Sequence, residues 1–252
     1  MRPPLVLAYH ALGEVEARLD PEGLMIPAAE LHSQIERLQE REYRFVKMAE
    51  FARLLVAGDP LNGVCALTFD DGSVDNATIL PDILRTLRVP ATLYVCPGLL
   101  GRPHPWIAPE AGVRLMKLSE LRAVAALPFV EIGSHTRAHA DMEAITDAGQ
   151  AYGELRSSKL MLEELIDRPV ESFAYPYGRY SSVCPAEAER AGYRSAATCE
   201  LRGDWTPYEL RRELIAPGDL GLRFELKIRG LFRPLVDSPP ARLRRRLRTV
   251  SA

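Results

Sequence analysis

Three short polar clusters carry residue types that can do chemistry. In "LTFDDG" (67–72) an apolar run ends abruptly in Asp70 and Asp71, followed by Gly72. In "IGSHTRAH" (132–139) two of the five histidines of the chain, His135 and His139, stand four residues apart. Such a pair converges on one side of a helix or across a turn, and with one carboxylate it forms a two-histidine, one-carboxylate metal set. That set leaves positions open for water and substrate, and it suits zinc, iron, cobalt or nickel. Two acids at a strand end point to opposite sides, because side chains alternate there, so Asp70 and Asp71 are expected to do different things. The third cluster, "FAYPYG" (173–178), places Tyr175 and Tyr177 around Pro176 in a rigid turn that can aim a ring or a backbone N–H at a substrate.

Each cluster alone also has a plain reading. An HxxxH pair is often just two surface or core histidines, Asp-Asp-Gly is ordinary turn chemistry, and a Tyr-Pro-Tyr turn packs loops. What raises the chemical reading is their shared position. Seven β-type runs recur along the chain: 5–9, 43–46, 64–69, 91–95, 129–134, 172–176 and 194–198. Helical patterns separate them, such as "AAELHSQIERLQERE" with Leu31, Ile35 and Leu38 on one face, and "GELRSSKLMLEELI" with Leu155, Leu162 and Ile166. Ser119 is expected to cap "ELRAV", and Gly192 to close "CPAEAERAG". This alternation predicts an α/β fold of parallel strands joined by crossover helices. In parallel α/β barrels the working loops follow the carboxyl ends of strands, which is where all three clusters fall. The long connection "CPGLLGRPHPWIAPEAG", with His104 and Trp106, is a further candidate for a functional loop.

The 252 residues, 47% hydrophobic and 26% charged, suit one large domain. A net charge of −2 gives no reason to expect a nucleic-acid partner. Cys65, Cys96, Cys184 and Cys199 form no CxxC pair and demand neither a disulfide framework nor a thiolate zinc site. No run reaches the length of a membrane span, and the apolar stretch before His10 is too short for a signal-peptide core, so a cytoplasmic location is expected. The C-terminal "ARLRRRLRTVSA" is strongly basic, either a solvated tail or a contact for an anionic membrane or partner.

The three motifs, in this order and spacing, resemble those of the polysaccharide deacetylase family, the NodB-homology domain of carbohydrate esterase family 4. "LVLAYH", "LHSQIERLQEREYRFV" and "VPATLYV" are also similar to that family, over roughly residues 4 to 216. The resemblance implies a distorted (β/α) barrel of about seven parallel strands as a single domain over 1–235, with 236–252 as a tail. It implies removal of N-acetyl groups from an amino sugar in a glycan or glycan precursor, with one divalent metal ion, zinc foremost and cobalt, nickel or iron admitted. Asp70 would be the general base, Asp71, His135 and His139 the metal ligands, and the backbone N–H of Tyr177 an oxyanion donor. Tyr175 and Trp106 would face the sugar.

Two positions depart from the common pattern. No histidine follows His139, where many members carry a catalytic one. His10, in "AYHALG", resembles the early histidine of the circularly permuted poly-N-acetylglucosamine deacetylases and would be the acid instead. Ala174 stands where many members have an arginine that steadies the catalytic aspartate, and Arg212, or its neighbour Arg211, would fill that role. The departures also allow a barrel that binds carbohydrate without turnover, and the resemblance to related enzymes allows hydrolysis of another non-peptide C–N bond, such as a cyclic amide.

Overall fold

Strand alternation organises the molecule. The computed structural model describes residues 2–199 and 205–231. The chain enters along β1 (Leu5–Tyr9) and makes a small parallel ribbon from β2 (Ala11–Leu12) and β3 (Met25–Ile26). Then follow α1 (Ala28–Glu40), β4 (Arg44–Val46), α2 (Met48–Ala57) and β5 (Val64–Phe69). Helices α3 (Asp75–Thr78) and α4 (Leu80–Leu87) lead to β6 (Ala91–Val95), α5 (Leu118–Ala125) to β7 (Val130–Ser134), and α6 (Ala148–Ile166) to β8 (Ser172–Ala174). Next come α7 (Cys184–Arg190), β9 (Ser195–Thr198), β10 (Leu210–Arg211), β11 (Glu213–Leu214) and α8 (Gly221–Ile228).

The main sheet runs β10-β9-β8-β7-β6-β5-β1-β11, with β4 flanking the start of β5, and all its pairings are parallel. Its two ends, β10 and β11, are separated in sequence by Arg212 alone. The Arg212 N–H donates to Thr198 O on one side of the seam, and Ile215 N–H donates to Ala8 O on the other. The sheet is therefore a nearly closed barrel whose seam is spanned at Arg212. The seven runs read from the sequence correspond to β1 and β4 to β9. The expected α/β barrel of about seven parallel strands is borne out, and β10 and β11, two residues each and too short to show an alternating pattern, complete it at the seam. Helix α5 also begins earlier than expected: Lys117, not Ser119, is its cap, with its N–H bonded to the Glu120 carboxylate.

Alternate residues face alternate cores. On β5, Val64 and Ala66 point into the barrel, while Cys65, Leu67 and Phe69 pack against the outer helices. The inner core is closed by α2, whose Met48, Phe51 and Leu54 join it. The first N–H groups of α2 would be orphans there. Met48 N–H donates to Thr92 Oγ1 at 3.0 Å and Ala49 N–H to Glu131 Oε2 at 3.0 Å, which caps the helix from inside the barrel. Among the described residues no helix is long and apolar enough to cross a membrane. The basic segment 236–252 lies outside the described residues.

Gly133 shows how tightly the interior is filled. A Cβ there would stand 2.5 Å from Tyr94 Cδ1 and 2.7 Å from Ser172 Oγ. Gly133→Ala is expected to cost about 1–3 kcal/mol through overpacking, read as a lowered denaturant midpoint at unchanged m-value.

Candidate active site

The inward register of β5 continues past its end: Val64, Ala66 and Thr68 are followed by Asp70. The same count on β1 puts His10 inward, on β7 His135, and beyond Leu210 of β10 Arg212. Four strands thus deliver four polar side chains to the carboxyl-terminal mouth of the barrel. Arg212, 1% exposed, grips Asp70 through two parallel bonds, Nη1 to Oδ1 at 2.6 Å and Nη2 to Oδ2 at 2.8 Å. Nη1 also donates to Thr68 Oγ1 at 3.2 Å, and the guanidinium stands 5.4 Å from the centre of the Tyr94 ring. Burial alone would raise the Asp70 pKa, but the Arg212 cation, with His135 beside it, outweighs burial and holds the carboxyl well below the usual range.

Asp71 reaches the same cavity by another route. Strict alternation would send it outward, but its φ of +68° and that of Gly72, +81°, turn the chain left-handed at once. Both carboxylates then face His135, whose Nε2 lies 3.9 Å from Asp70 Oδ2 and 3.7 Å from Asp71 Oδ1. The expected separation by strand alternation is corrected: a strained turn, not the pleat, sets Asp71 apart. Asp75 anchors this turn by accepting from Leu12 N–H at 2.7 Å and from the Ser73 hydroxyl.

His135 donates from Nδ1 to Ala174 O at 2.7 Å, so its Nε2 lone pair faces the cavity. His139 Nε2 lies 3.5 Å from Asp71 Oδ1. The histidine pair spans a turn, not a helix, with Thr136 and His139 both left-handed (φ +62° and +60°) and Ala140 N–H bonded to Thr136 Oγ1. Burial pulls His135 down to about 4 and His139 to about 2, keeping both rings neutral, the form that ligates metal. Burial, with the Asp70 charge next, pushes Asp71 up, and its Oδ1 has no hydrogen-bond partner among the described residues. One ligand atom from each of Asp71, His135 and His139 lies within 4.8 Å of the others. Two neutral imidazoles and an orphaned carboxylate oxygen fit a divalent cation.

Every site residue read from the sequence lines one cavity of about 340 Å³ except Tyr175. Trp106 and Tyr177 flank His139, their ring centres 4.1 and 4.5 Å from it. Tyr177 is left-handed (φ +57°), and the next residue admits no side chain, since a Cβ on Gly178 would meet Cys199 Cβ at 2.4 Å. Tyr175 is corrected. It takes the outward register of β8, is fully buried, stacks on Tyr180 and donates its hydroxyl to Tyr208 O at 3.2 Å. It packs the wall and does not face the cavity. Between the two arginines the geometry selects Arg212, since Arg211 has the outward register. The structure adds Glu22, Leu24 and Leu214 to the cavity wall. Glu22 and Leu24 come from a connecting segment and Leu214 from the two-residue β11, and no motif in their local sequence marks them.

Breaking a buried ion pair from one side leaves an uncompensated charge, whereas replacing both partners often does not. Arg212→Met is expected to destabilise the fold by about 3–5 kcal/mol in chemical denaturation. The double variant Arg212→Met with Asp70→Leu should recover most of that loss.

The polysaccharide deacetylase family profile matches residues 57–196, more than half of the chain. YxkH of Bacillus subtilis strain 168, which carries a provisional polysaccharide deacetylase name, is 24% identical over 230 residues, 90% of this chain and 76% of that one. Among solved structures, the Streptococcus pyogenes deacetylase PplD in complex with acetate superposes with a TM-score of 0.74 at 22% identity, covering 90% of this chain and 99% of that one. IcaB from Ammonifex degensii gives a TM-score of 0.73 at 20% identity, covering 85% and 92%. The two superpositions share the barrel, and the family match spans the "FDDG", "SHTRAH" and "YPYG" clusters that the barrel gathers: the chain belongs to the polysaccharide deacetylase family.

Proposed function

We propose that this chain is a metal-dependent deacetylase that hydrolyses the N-acetyl group of an amino sugar in a glycan or glycan precursor. The observation that carries the reading is the single cavity in which the Asp71, His135 and His139 donor set stands beside a carboxylate kept charged by Arg212. When bound there, a divalent cation supplies a Lewis acid for the acetyl carbonyl and makes water more acidic. Zinc is the first choice for two imidazoles and a carboxylate, with cobalt, nickel or iron tolerated by the same donors.

Asp70 is the proposed base. Each of its oxygens bonds Arg212 yet keeps a second lone pair, so it can still accept a proton from attacking water. The bidentate clamp fixes its orientation. The Tyr177 backbone N–H is the proposed donor to the developing oxyanion, aimed by the left-handed turn. His10, across the cavity, is the proposed acid. Water adds to the carbonyl carbon, the C–N bond breaks, and the amine leaves with a proton from His10 while acetate remains. Burial lowers the His10 pKa, with the Asp70 charge acting against it, and the imidazolium form is the one that donates the proton. The Trp106 and Tyr177 rings offer apolar faces for a sugar ring. The acetate in the S. pyogenes relative is the acid that this reaction would release.

The test is acetate release from a panel of N-acetylated glycans and lipid- or nucleotide-linked sugars, using metal-stripped protein reconstituted with each metal. Asp70→Asn is expected to lose about 10²- to 10⁴-fold in kcat while still binding one equivalent of metal. Undiminished turnover by Asp70→Asn would remove it as the base. His10→Ala at the wild-type rate would remove His10 as the acid. Glycan binding with no acetate released under any metal would favour the non-catalytic reading.

A further inference from the structure

Strand β1 ends at Tyr9, whose partner on β5 is Phe69, and the register between the two strands goes no further. The ladder closes with Asp70 N–H donating to Tyr9 O at 2.9 Å. Beyond that bond one chain turns left-handed at Asp71, while the other carries His10 towards β2. His10 therefore sits one residue past the point where strand pairing holds it beside Asp70.

Two side chains take over there. Asn76 Nδ2 donates to the His10 carbonyl at 3.0 Å, and Asp75 Oδ1 accepts from Leu12 N–H at 2.7 Å. Tyr9, His10 and Leu12 are thus each fastened to one short stretch, residues 70–76. That stretch begins with the proposed base, and His10 and Asp70 line the same cavity. The β2–β3 ribbon adds bonds from Ala11 N–H to Leu24 O and from Gly13 N–H to Ile26 O, which tie the segment to β3 and not to the aspartate turn.

Asn76 is a costly residue for this position. It is fully buried, at 0% exposure, and its Oδ1 has no hydrogen-bond partner among the described residues. A leucine has the same branching and would bring no orphaned oxygen, which is unfavourable to bury. What the amide gains in return is the Nδ2 bond, and that bond fixes the backbone of His10. Asp75 is buried too, but it has a second duty, accepting from the Ser73 hydroxyl under the aspartate turn. Asn76 is therefore the separable half of the clamp.

We propose that Asn76 is a positioning residue for His10. Its amide fixes the backbone from which the imidazole projects, so that the acid and Asp70 are carried on one frame across the cavity. Asn76 does not line that cavity, and it acts through His10. The proposal rests on the assignment of His10 as the acid.

The test compares two substrates on metal-reconstituted protein. An N-acetylated sugar needs a proton on its leaving amine; 4-nitrophenyl acetate, an activated ester, releases a phenolate without one. Both reactions need Asp70 and the metal donors, so the ester reports any damage to the aspartate turn. Asn76→Leu keeps the branched shape and removes the donor. It should lower kcat on the amide about 10- to 100-fold, with KM, ester turnover and the equivalent of bound metal unchanged. In a His10→Ala background, Asn76→Leu should cost nothing more. Wild-type amide turnover by Asn76→Leu, equal losses on amide and ester, or a further loss in the His10→Ala background would each overturn the proposal. Asn76→Ala serves as a second variant without the donor if Asn76→Leu does not fold. Wild-type amide turnover by His10→Ala alone would instead sink the acid assignment, separately from any result at Asn76.

Discussion

The contact on which the rest of the mouth depends is the paired bond between Arg212 and Asp70. Arg212 is the residue at which the chain crosses the barrel seam, so the closure of the sheet and the charge state of Asp70 are set at one place. Here the buried guanidinium and the buried carboxylate each offset the cost of removing the other from water. Removing either strands the other. The pair therefore ties strand order to the electrostatics of the cavity, and it makes a late, short strand pair essential to a motif more than a hundred residues earlier.

Around that pair, the pleat and the left-handed turns divide the work. Alternation along β1, β5, β7 and β10 lines up His10, Asp70, His135 and Arg212 on the inner face without strain. Asp71, His139 and Tyr177 need something else, because the pleat would send them elsewhere or end before reaching them. Each adopts a positive φ, as does Thr136 within the histidine turn. Non-glycine residues in that region carry a modest energetic cost, accepted where the surrounding structure over-determines them. Here the surroundings are visible: the Asp75 bonds under the aspartate turn, the Thr136 hydroxyl under the histidine turn, and Gly178 pressed against Cys199.

Much of the site was legible in the chain because its parts are local. "FDDG", "SHTRAH" and "YPYG" each hold their residues within a few positions, and the strand before each is long enough to show where it ends. Tyr175 was misread for a local reason as well: counting register from Phe173 would have placed it outward. Arg212 was a choice between neighbours that only the seam geometry could settle. His104 reads as a loop histidine from its Gly- and Pro-rich surroundings, yet it is buried. Only the packing of Ile107 on Ala11 and Met25 shows that its connection closes over the segment that follows His10.

The sequence by itself determined the parallel α/β pattern, the family, and the residue types of the candidate metal set, since these depend on periodicity and short-range spacing. Tertiary structure alone decided which arginine meets Asp70, how Asp71 turns into the cavity, that Tyr175 faces away, and that His104 is buried. Each of those depends on contacts between segments far apart in the chain or on a backbone dihedral. The physical reason is that side-chain chemistry and strand period are written residue by residue, whereas seam closure, turn strain and burial arise only when distant strands are brought together.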